Sequence, residues 1–129
     1  MIAAMRIKLH YVMFSILLGC GGGGAEICDG PNCICPAGDD CSVDCPAGSN
    51  CDVQAQPGST LDVDCGGTVT CDVECVTSAA CDVDCGGGDC DVTCPAADCT
   101  VSNCPEGSCD VTCGTGGIAT RDGTTATCP

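Results

Sequence analysis

The stretch AQPGSTLDVD (55–64) lies in the only long gap without cysteine between Cys28 and Cys113. It has the same frame as its neighbours CPAGSNCDVQ (45–54) and CGGTVTCDVE (65–74). Ala55 and Leu61 stand where those neighbours have cysteines. Why two cysteines are lost together is the question that decides the fold.

The chain is an array of short repeats. Eight units have ten residues or, in two cases, nine, and each carries an Asp-Val dipeptide or a close variant of it. The units are CPAGDDCSVD (35–44), CPAGSNCDVQ (45–54), AQPGSTLDVD (55–64), CGGTVTCDVE (65–74), CVTSAACDVD (75–84), CGGGDCDVT (85–93), CPAADCTVSN (94–103) and CPEGSCDVT (104–112). Self-similarity at a fixed short period predicts a stacked repeat architecture.

The cysteines can pair in two ways, across the Asp-Val segment or across the turn. The Asp-Val segment alternates apolar and polar residues around a β-branched centre, which predicts a strand. Four extended residues separate its flanking Cα atoms by roughly 13 Å, whereas a disulfide needs Cα atoms within about 7 Å. The turn segments are rich in Pro-Ala-Gly and Gly-Gly, which fold the chain back. Geometry therefore favours pairing across the turn.

The missing pair supports the same choice. If cysteines paired across Asp-Val, the loss at positions 55 and 61 would orphan Cys51 and Cys65. If they pair across turns, Ala55 and Leu61 replace one complete disulfide. Every other cysteine in the repeats then has a partner, with the last pair assigned by elimination. The predicted disulfides are Cys28–Cys33, Cys35–Cys41, Cys45–Cys51, Cys65–Cys71, Cys75–Cys81, Cys85–Cys90, Cys94–Cys99, Cys104–Cys109 and Cys113–Cys128.

These repeats predict an all-β fold, a narrow disulfide-stapled β-solenoid over 28–112 with an irregular cap over 113–129. It would have about eight coils of nine or ten residues, each with one inward Val, and at about 4.8 Å per coil a length of order 40 Å. The inward residues would be Val43, Val53, Val63, Val73, Val83, Val92, Val101 and Val111. The alternative is an unstacked string of small disulfide loops.

The N-terminus has the features of an export signal. Arg6 and Lys8 precede a short apolar run, YVMFSILL (11–18), which is shorter than the roughly 20 residues that span a bilayer. Residues 17–20, LLGC, resemble the lipobox of bacterial lipoproteins. The resemblance implies a signal peptide over 1–19, a lipidated Cys20 and a glycine-rich tether over 20–27. It also implies sorting to the outer membrane of a Gram-negative cell, because Gly21 rather than Asp follows the cysteine.

The repeats resemble the small disulfide-stapled solenoid antifreeze proteins of insects, especially the midge type, in period and cysteine placement over 35–112. Those proteins bind ice with ladders of Tyr or Thr, whereas this chain has Asp at most of the outward positions. Thr93, Ser102 and Thr112 are expected to form one short hydroxyl row. Ice binding is therefore the weakest functional alternative.

Composition disfavours two functional classes. Lys8, His10 and Tyr11 are the only residues of their types, and all precede Cys20, so no His-based triad or Schiff-base lysine is expected beyond it. The segment after Cys20 has one cation, Arg121, against all 18 acidic side chains. The charge disfavours nucleic-acid binding, and we expect no enzyme.

Ten of the acidic side chains fall at the second and fourth positions of the C-D-V-x pattern, on the face opposite Val. Stacking would align them in two outward rows, acidic over three consecutive repeats. The expected patch consists of Asp62, Asp64, Asp72, Glu74, Asp82 and Asp84. It would either keep the rod soluble and unaggregated or bind Ca²⁺, which accepts flexible all-oxygen coordination.

The sequence thus predicts a lipid-anchored, surface-exposed structural or interaction protein of the cell envelope. Its membrane contact would be the N-terminal lipid. A Ca²⁺-binding surface module is the alternative.

Overall fold

A computed structural model describes residues 26–28, 32–75, 79–95, 98–114 and 116–129, with only the backbone for 26–28. The predicted signal peptide, Cys20 and most of the tether lie outside the described residues. The described residues form thirteen β-strands. In chain order these are β1 (Glu26–Cys28), β2 (Asn32–Cys35), β3 (Asp40–Asp44), β4 (Asn50–Ala55), β5 (Thr60–Asp64), β6 (Thr70–Cys75), β7 (Ala80–Asp84), β8 (Asp89–Cys94), β9 (Cys99–Ser102), β10 (Cys109–Cys113), β11 (Gly117–Ile118), β12 (Thr120–Asp122) and β13 (Thr125–Thr127).

Successive strands alternate between two sheets. Sheet A has the order β1-β3-β5-β7-β9-β13-β12, and sheet B has the order β11-β10-β8-β6-β4-β2. Within the repeats all neighbouring strands are parallel, so that Val43 pairs with Val63 and Val63 with Val83 in sheet A. In sheet B Val53 pairs with Val73 in the same way. The predicted disulfide-stapled β-solenoid is confirmed.

The solenoid has about four turns rather than about eight, which corrects the predicted coil count. Each stapled turn reverses the chain, and strands on both sides of the turn point Val and Cys inward. The second strand therefore lies across the core from the first instead of stacking on it. A parallel partner is reached only after a second turn, one complete coil of about two repeats later. At about 4.8 Å per coil the stack is roughly 20 Å long, half the predicted length.

The core is a double ladder of small side chains. The strands show alternating burial, for example exposed and buried in turn along Thr70–Cys75. Seven of the eight predicted valines are at most 2% exposed. Val111, in the last repeat, is only partly buried and packs against the core from its end. Leu61 is the largest of the fully buried side chains.

The turns pack on one another as closely as the strands do. Gly48 N donates to Gly67 O of the turn one coil later, at 2.8 Å. Gly86 has φ near +59°, and a Cβ there would lie 2.8 Å from the Cα of Gly66 in the turn beneath it. A side chain at position 86 would therefore separate two backbones that now touch, in addition to straining the backbone.

Seven disulfides clasp turns of the repeats and an eighth, Cys113–Cys128, encloses the cap, with Cα–Cα separations between 5.2 and 6.6 Å. They are Cys35–Cys41, Cys45–Cys51, Cys65–Cys71, Cys75–Cys81, Cys85–Cys90, Cys94–Cys99, Cys104–Cys109 and Cys113–Cys128. Cys33 is also disulfide-bonded, and the side chain of its predicted partner, Cys28, lies outside the described residues. Because turns alternate between the two sides of the solenoid, the staples form two columns. We call them the first edge (35–41, 75–81, 94–99, 113–128) and the second edge (45–51, 65–71, 85–90, 104–109).

Ala55 and Leu61 occupy one step of the first edge. Ala55 is in register with Cys35 and Cys75 in sheet B. Leu61 is in register with Cys41 and Cys81 in sheet A. Both side chains are completely buried. An apolar pair thus fills the position of a disulfide, which is why the two cysteines are absent together.

Restoring this staple is a direct test of the register. We expect the double variant Ala55→Cys/Leu61→Cys to form a further disulfide on the first edge. The two positions lie in register between the staples Cys35–Cys41 and Cys75–Cys81, which clasp the turns before and after theirs on this edge. The new bond should stabilise the variant by about 2 kcal/mol relative to the same chain in which only the Ala55→Cys/Leu61→Cys pair is unbonded. Intact mass and thiol titration report the bond, and the single variant Ala55→Cys is the control with one free thiol. Two free thiols in the double variant would show that the two positions do not face each other.

The C-terminal end is closed by antiparallel strands. The pair β12–β13 extends sheet A beside β9, and β11 pairs with β10 in sheet B. Arg121 donates from its guanidinium to the carbonyl oxygens of Cys104 and Cys109, at 2.9 and 2.7 Å. This segment, predicted as irregular, is a strand cap because the guanidinium and Cys113–Cys128 hold it against the last coil. At the other end Glu26 and Ile27, assigned to the tether by the sequence, pair with β3 instead.

Candidate functional site: acidic ladders on two faces

Sheet A carries two outward columns of polar side chains. The first consists of Ser42, Asp62, Asp82 and Thr100, and the second of Asp44, Asp64, Asp84 and Ser102. Each strand alternates burial so strictly that these positions face solvent while Val between them faces the core. Parallel register places each carboxylate about 4.8 Å from the next position in its column.

Sheet B carries the longer run of acids. One outward column consists of Asp52, Asp72, Asp91 and Asp110, and the other of Gln54, Glu74, Thr93 and Thr112. Four stacked aspartates without an intervening neutral residue make the first column, which we call the aspartate ladder, the most concentrated row of like charge among the described residues. Asp52, Asp91 and Asp110 were not among the predicted site residues, although aligning the sequence at twice the repeat length places them in one column with Asp72.

The predicted six-acid patch is therefore divided between the two faces. Asp62, Asp64, Asp82 and Asp84 share sheet A, whereas Asp72 and Glu74 lie on sheet B. The division follows from the alternation of strands between sheets. It also splits the expected hydroxyl row, since Thr93 and Thr112 pair in sheet B while Ser102 lies in sheet A.

Two of the sheet A acids are used to fix turns. Asp64 accepts a hydrogen bond from Gly66 N at 2.8 Å. Asp84 accepts one from Gly86 N at 2.9 Å and another from the Asn103 side chain at 2.8 Å. A short acidic side chain that caps its own turn has a structural role, so these two carboxylates have less capacity to bind a ligand.

On sheet B the second column contains one neutral–acid contact. Gln54 donates from Nε2 to Glu74 Oε2 at 2.7 Å. Gln56 in turn donates to Gln54 Oε1 at 3.4 Å. The amide therefore relieves part of the repulsion in this column, whereas the aspartate ladder beside it has no neutral member between Asp52 and Asp110.

Asp72 shows the effect of that crowding. Partial burial, followed by the charges of Asp91, Asp52 and Glu74, raises the pKa of Asp72 above its ordinary value of 3.8. Burial and like charges both disfavour the ionised carboxylate. The centre of the aspartate ladder is thus a place where either a proton or a bound cation would stabilise the fold.

This shift predicts a pH dependence. Because the pKa of Asp72 is higher in the folded state than in the unfolded state, its ionisation opposes folding. The penalty is absent below pH 3.8 and develops as the pH rises through the raised folded value. Asp72→Asn should therefore raise the free energy of unfolding at pH 7, by at most roughly 0.2–1 kcal/mol because solvent screens the like charges around this mostly exposed group, with no gain at pH 3. Thermal unfolding at both pH values measures this.

The matched control is Asp39→Asn, which removes one charge from a turn outside both sheets. Equal effects of the two substitutions at pH 7 would assign the gain to net charge rather than to the ladder.

A shallow groove of about 370 Å³ runs along the aspartate ladder. Its walls include the carboxylates of Asp72, Asp91 and Asp110 and the adjoining cysteines Cys71, Cys90 and Cys109. The groove is open to solvent and lies where sheet B meets the second edge. It can admit small cationic or neutral molecules, and its charge repels anions.

Comparison with family models, with curated proteins and with solved structures finds no match to this chain. Within the described residues there is also no helix long and apolar enough to cross a membrane.

Proposed function

We propose that this protein is a lipid-anchored structural or interaction element of the cell envelope, displayed at the outer membrane surface. The observation that carries the proposal is the acidic cover on both outward faces of a disulfide-stapled solenoid. Stacked carboxylates on sheets A and B keep a solenoid with two open faces from associating with its own copies. The staples suit an oxidising compartment, which agrees with the leader and LLGC (17–20).

The proposed role is spacing or binding rather than catalysis. The described acids lie on open faces, and even Asp72, which is partly buried, is not in the enclosed pocket that a general acid or base requires. The aspartate ladder would also repel nucleic acid. A partner that this surface suits is cationic, either a basic protein segment or a metal ion.

The anchor is tested with a single substitution. In a Gram-negative host the full chain should be labelled with fatty acid and should partition into detergent, and Cys20→Ser should abolish both. Cys113→Ser/Cys128→Ser is the matched control that removes cysteines without touching LLGC, and it should keep the label. Surface display is read by protease or antibody access to intact cells. Labelling that survives Cys20→Ser, or a chain recovered only as a soluble periplasmic protein, would remove the anchored role.

A Ca²⁺-binding surface is the second candidate, favoured by the aspartate ladder. Ca²⁺ binds oxygen ligands at about 2.3–2.6 Å, so one ion can bridge carboxylates on strands about 4.8 Å apart. The centre of this candidate is Asp72 and Asp91 on sheet B. It replaces the six-acid patch, which the fold divides.

Calorimetric titration separates the two candidates. If the ladder binds Ca²⁺, wild type should release or absorb heat with saturation below millimolar calcium, and Asp72→Asn/Asp91→Asn should lose the signal. Asp62→Asn/Asp82→Asn removes the same charge from sheet A and should keep it. If wild type shows no saturable heat at millimolar calcium, the Ca²⁺-binding candidate is refuted and the structural role remains.

A further inference from the structure

Two neighbouring staples on the second edge are in sulfur contact. The Sγ atoms of Cys85 and Cys109, which belong to different disulfides, are 3.7 Å apart. The Sγ atoms of Cys85, Cys104 and Cys109 all lie within 4.8 Å of one another. Among the described residues one other group of three sulfurs is as close, and it is on the same edge: Cys45, Cys65 and Cys71. The first edge has no such group within the described residues.

In each of these two staples one cysteine is slightly more exposed than its partner. Cys90 and Cys109 line the groove and each retains 5% exposure. Their partners Cys85 and Cys104 are 1% and 0% exposed. Cys90 and Cys109 are therefore the members of the two staples nearer the groove, and the sulfur released by attack on Cys90 is that of the more deeply buried Cys85.

We propose that Cys85–Cys90 and Cys104–Cys109 form one thiol–disulfide exchange site, whose substrates are small cationic or neutral thiols. The incoming thiolate attacks Cys90 Sγ, forms a mixed disulfide with it and releases the Cys85 thiolate. That thiolate attacks Cys109 Sγ, forms a Cys85–Cys109 bond and releases the Cys104 thiolate, which takes a proton from water. Two bonds form and two break, and no outside oxidant is needed.

The groove charge sets the substrate class. Asp91 and Asp110 line the same groove as Cys90 and Cys109. A thiolate with an additional negative group is repelled by these carboxylates, whereas an ammonium group on the thiol is attracted. The discrimination acts through solvent, so salt should weaken it.

The exchange is tested on the intact oxidised chain by peptide mapping. The protein is treated with about one equivalent of cysteamine, quenched with acid, alkylated and digested without reduction. The expected products are a Cys85–Cys109 peptide, cysteamine on Cys90 and an alkylated Cys104. The staples Cys75–Cys81 and Cys94–Cys99 on the first edge are the internal control and should give no crossed peptide. Alkylation of Cys85 with Cys104–Cys109 intact, or no reaction before the strands unfold, would overturn the proposal.

The charge selection is tested with three thiols of similar size: cysteamine, 2-mercaptoethanol and 2-mercaptoethanesulfonate. Rates are compared at equal thiolate concentration and divided by the rate of each thiol with a free small disulfide. At low salt we expect cysteamine to exceed the sulfonate by at least about tenfold, with convergence above about 0.5 M salt. Asp91→Asn/Asp110→Asn should reduce the ratio of the cysteamine rate to the sulfonate rate, and Asp62→Asn/Asp82→Asn should leave this ratio unchanged. Equal rates at low salt, or equal effects of the two variants, would refute the selection.

Discussion

Complete reduction is expected to unfold the solenoid at room temperature. Seven of the eight described disulfides close loops of five or six residues and contribute about 2 kcal/mol each in the chain-entropy model. Cys113–Cys128 closes a loop of 15 residues and contributes about 3 kcal/mol. The eight described bonds together exceed the whole stability of a typical small domain, about 5–15 kcal/mol. The core cannot compensate, because its side chains are Val, Ala, Cys and one Leu. Far-ultraviolet circular dichroism before and after reduction and alkylation should show the loss of the strand signal.

The control is a sample alkylated without reduction, which should keep the strand signal. A fully alkylated, reduced chain that retained it would mean that the parallel ladders are stable alone and that the staples are secondary.

Leu61→Ala is expected to produce the largest loss from a single apolar truncation, about 2–5 kcal/mol. Leu61 is completely buried, and it fills a step of the first edge that has no disulfide. The substitution leaves a cavity that the staples above and below prevent from collapsing. Denaturant unfolding of the oxidised protein measures the change in free energy.

Val69→Ala is the matched control, because Val69 is 57% exposed on a turn and should cost less than about 0.5 kcal/mol. Equal and small losses for both variants would show that Leu61 does not support this step of the column.

Features with a local cause were predictable from the sequence. The turn-flanking pairing follows from chain geometry between Cys65 and Cys71, and the inward Val and outward Asp follow from the two-residue period of a strand. The joint replacement of two cysteines by Ala55 and Leu61 was predictable because the same turn joins both positions. None of these inferences depends on which strand lies beside which.

The partner of each strand was not predictable from the repeat alone. Repeats on sheets A and B have nearly the same pattern. A ten-residue period therefore predicts which residues of a strand face inward, but not which strand pairs with it. One signal was present at the longer period: LDVDCGG (61–67) matches CDVDCGG (81–87), whereas 71–77 does not continue into Gly-Gly. The Asp before each Gly-Gly caps its turn, and the two turns stack at Gly66 and Gly86.

The predicted acidic patch was wrong because consecutive repeats were expected to stack on one another. The acids at 62, 72 and 82 are consecutive in the repeat alignment, but only those at 62 and 82 are neighbours in a sheet. The aspartate ladder through Asp72 and Asp91 appears only when every second repeat is aligned. The sulfur contact between Cys85 and Cys109 has the same origin, since those cysteines belong to turns one full coil apart.

The most direct test of the central claim is a disulfide map of the non-reduced protein. Every linked peptide in the repeats is expected to join cysteines on the two sides of a turn, such as Cys65 with Cys71. A peptide that links Cys71 to Cys75 across the Asp-Val strand, or free thiols throughout the repeats, would contradict this pairing. Either result would remove the solenoid and both acidic faces.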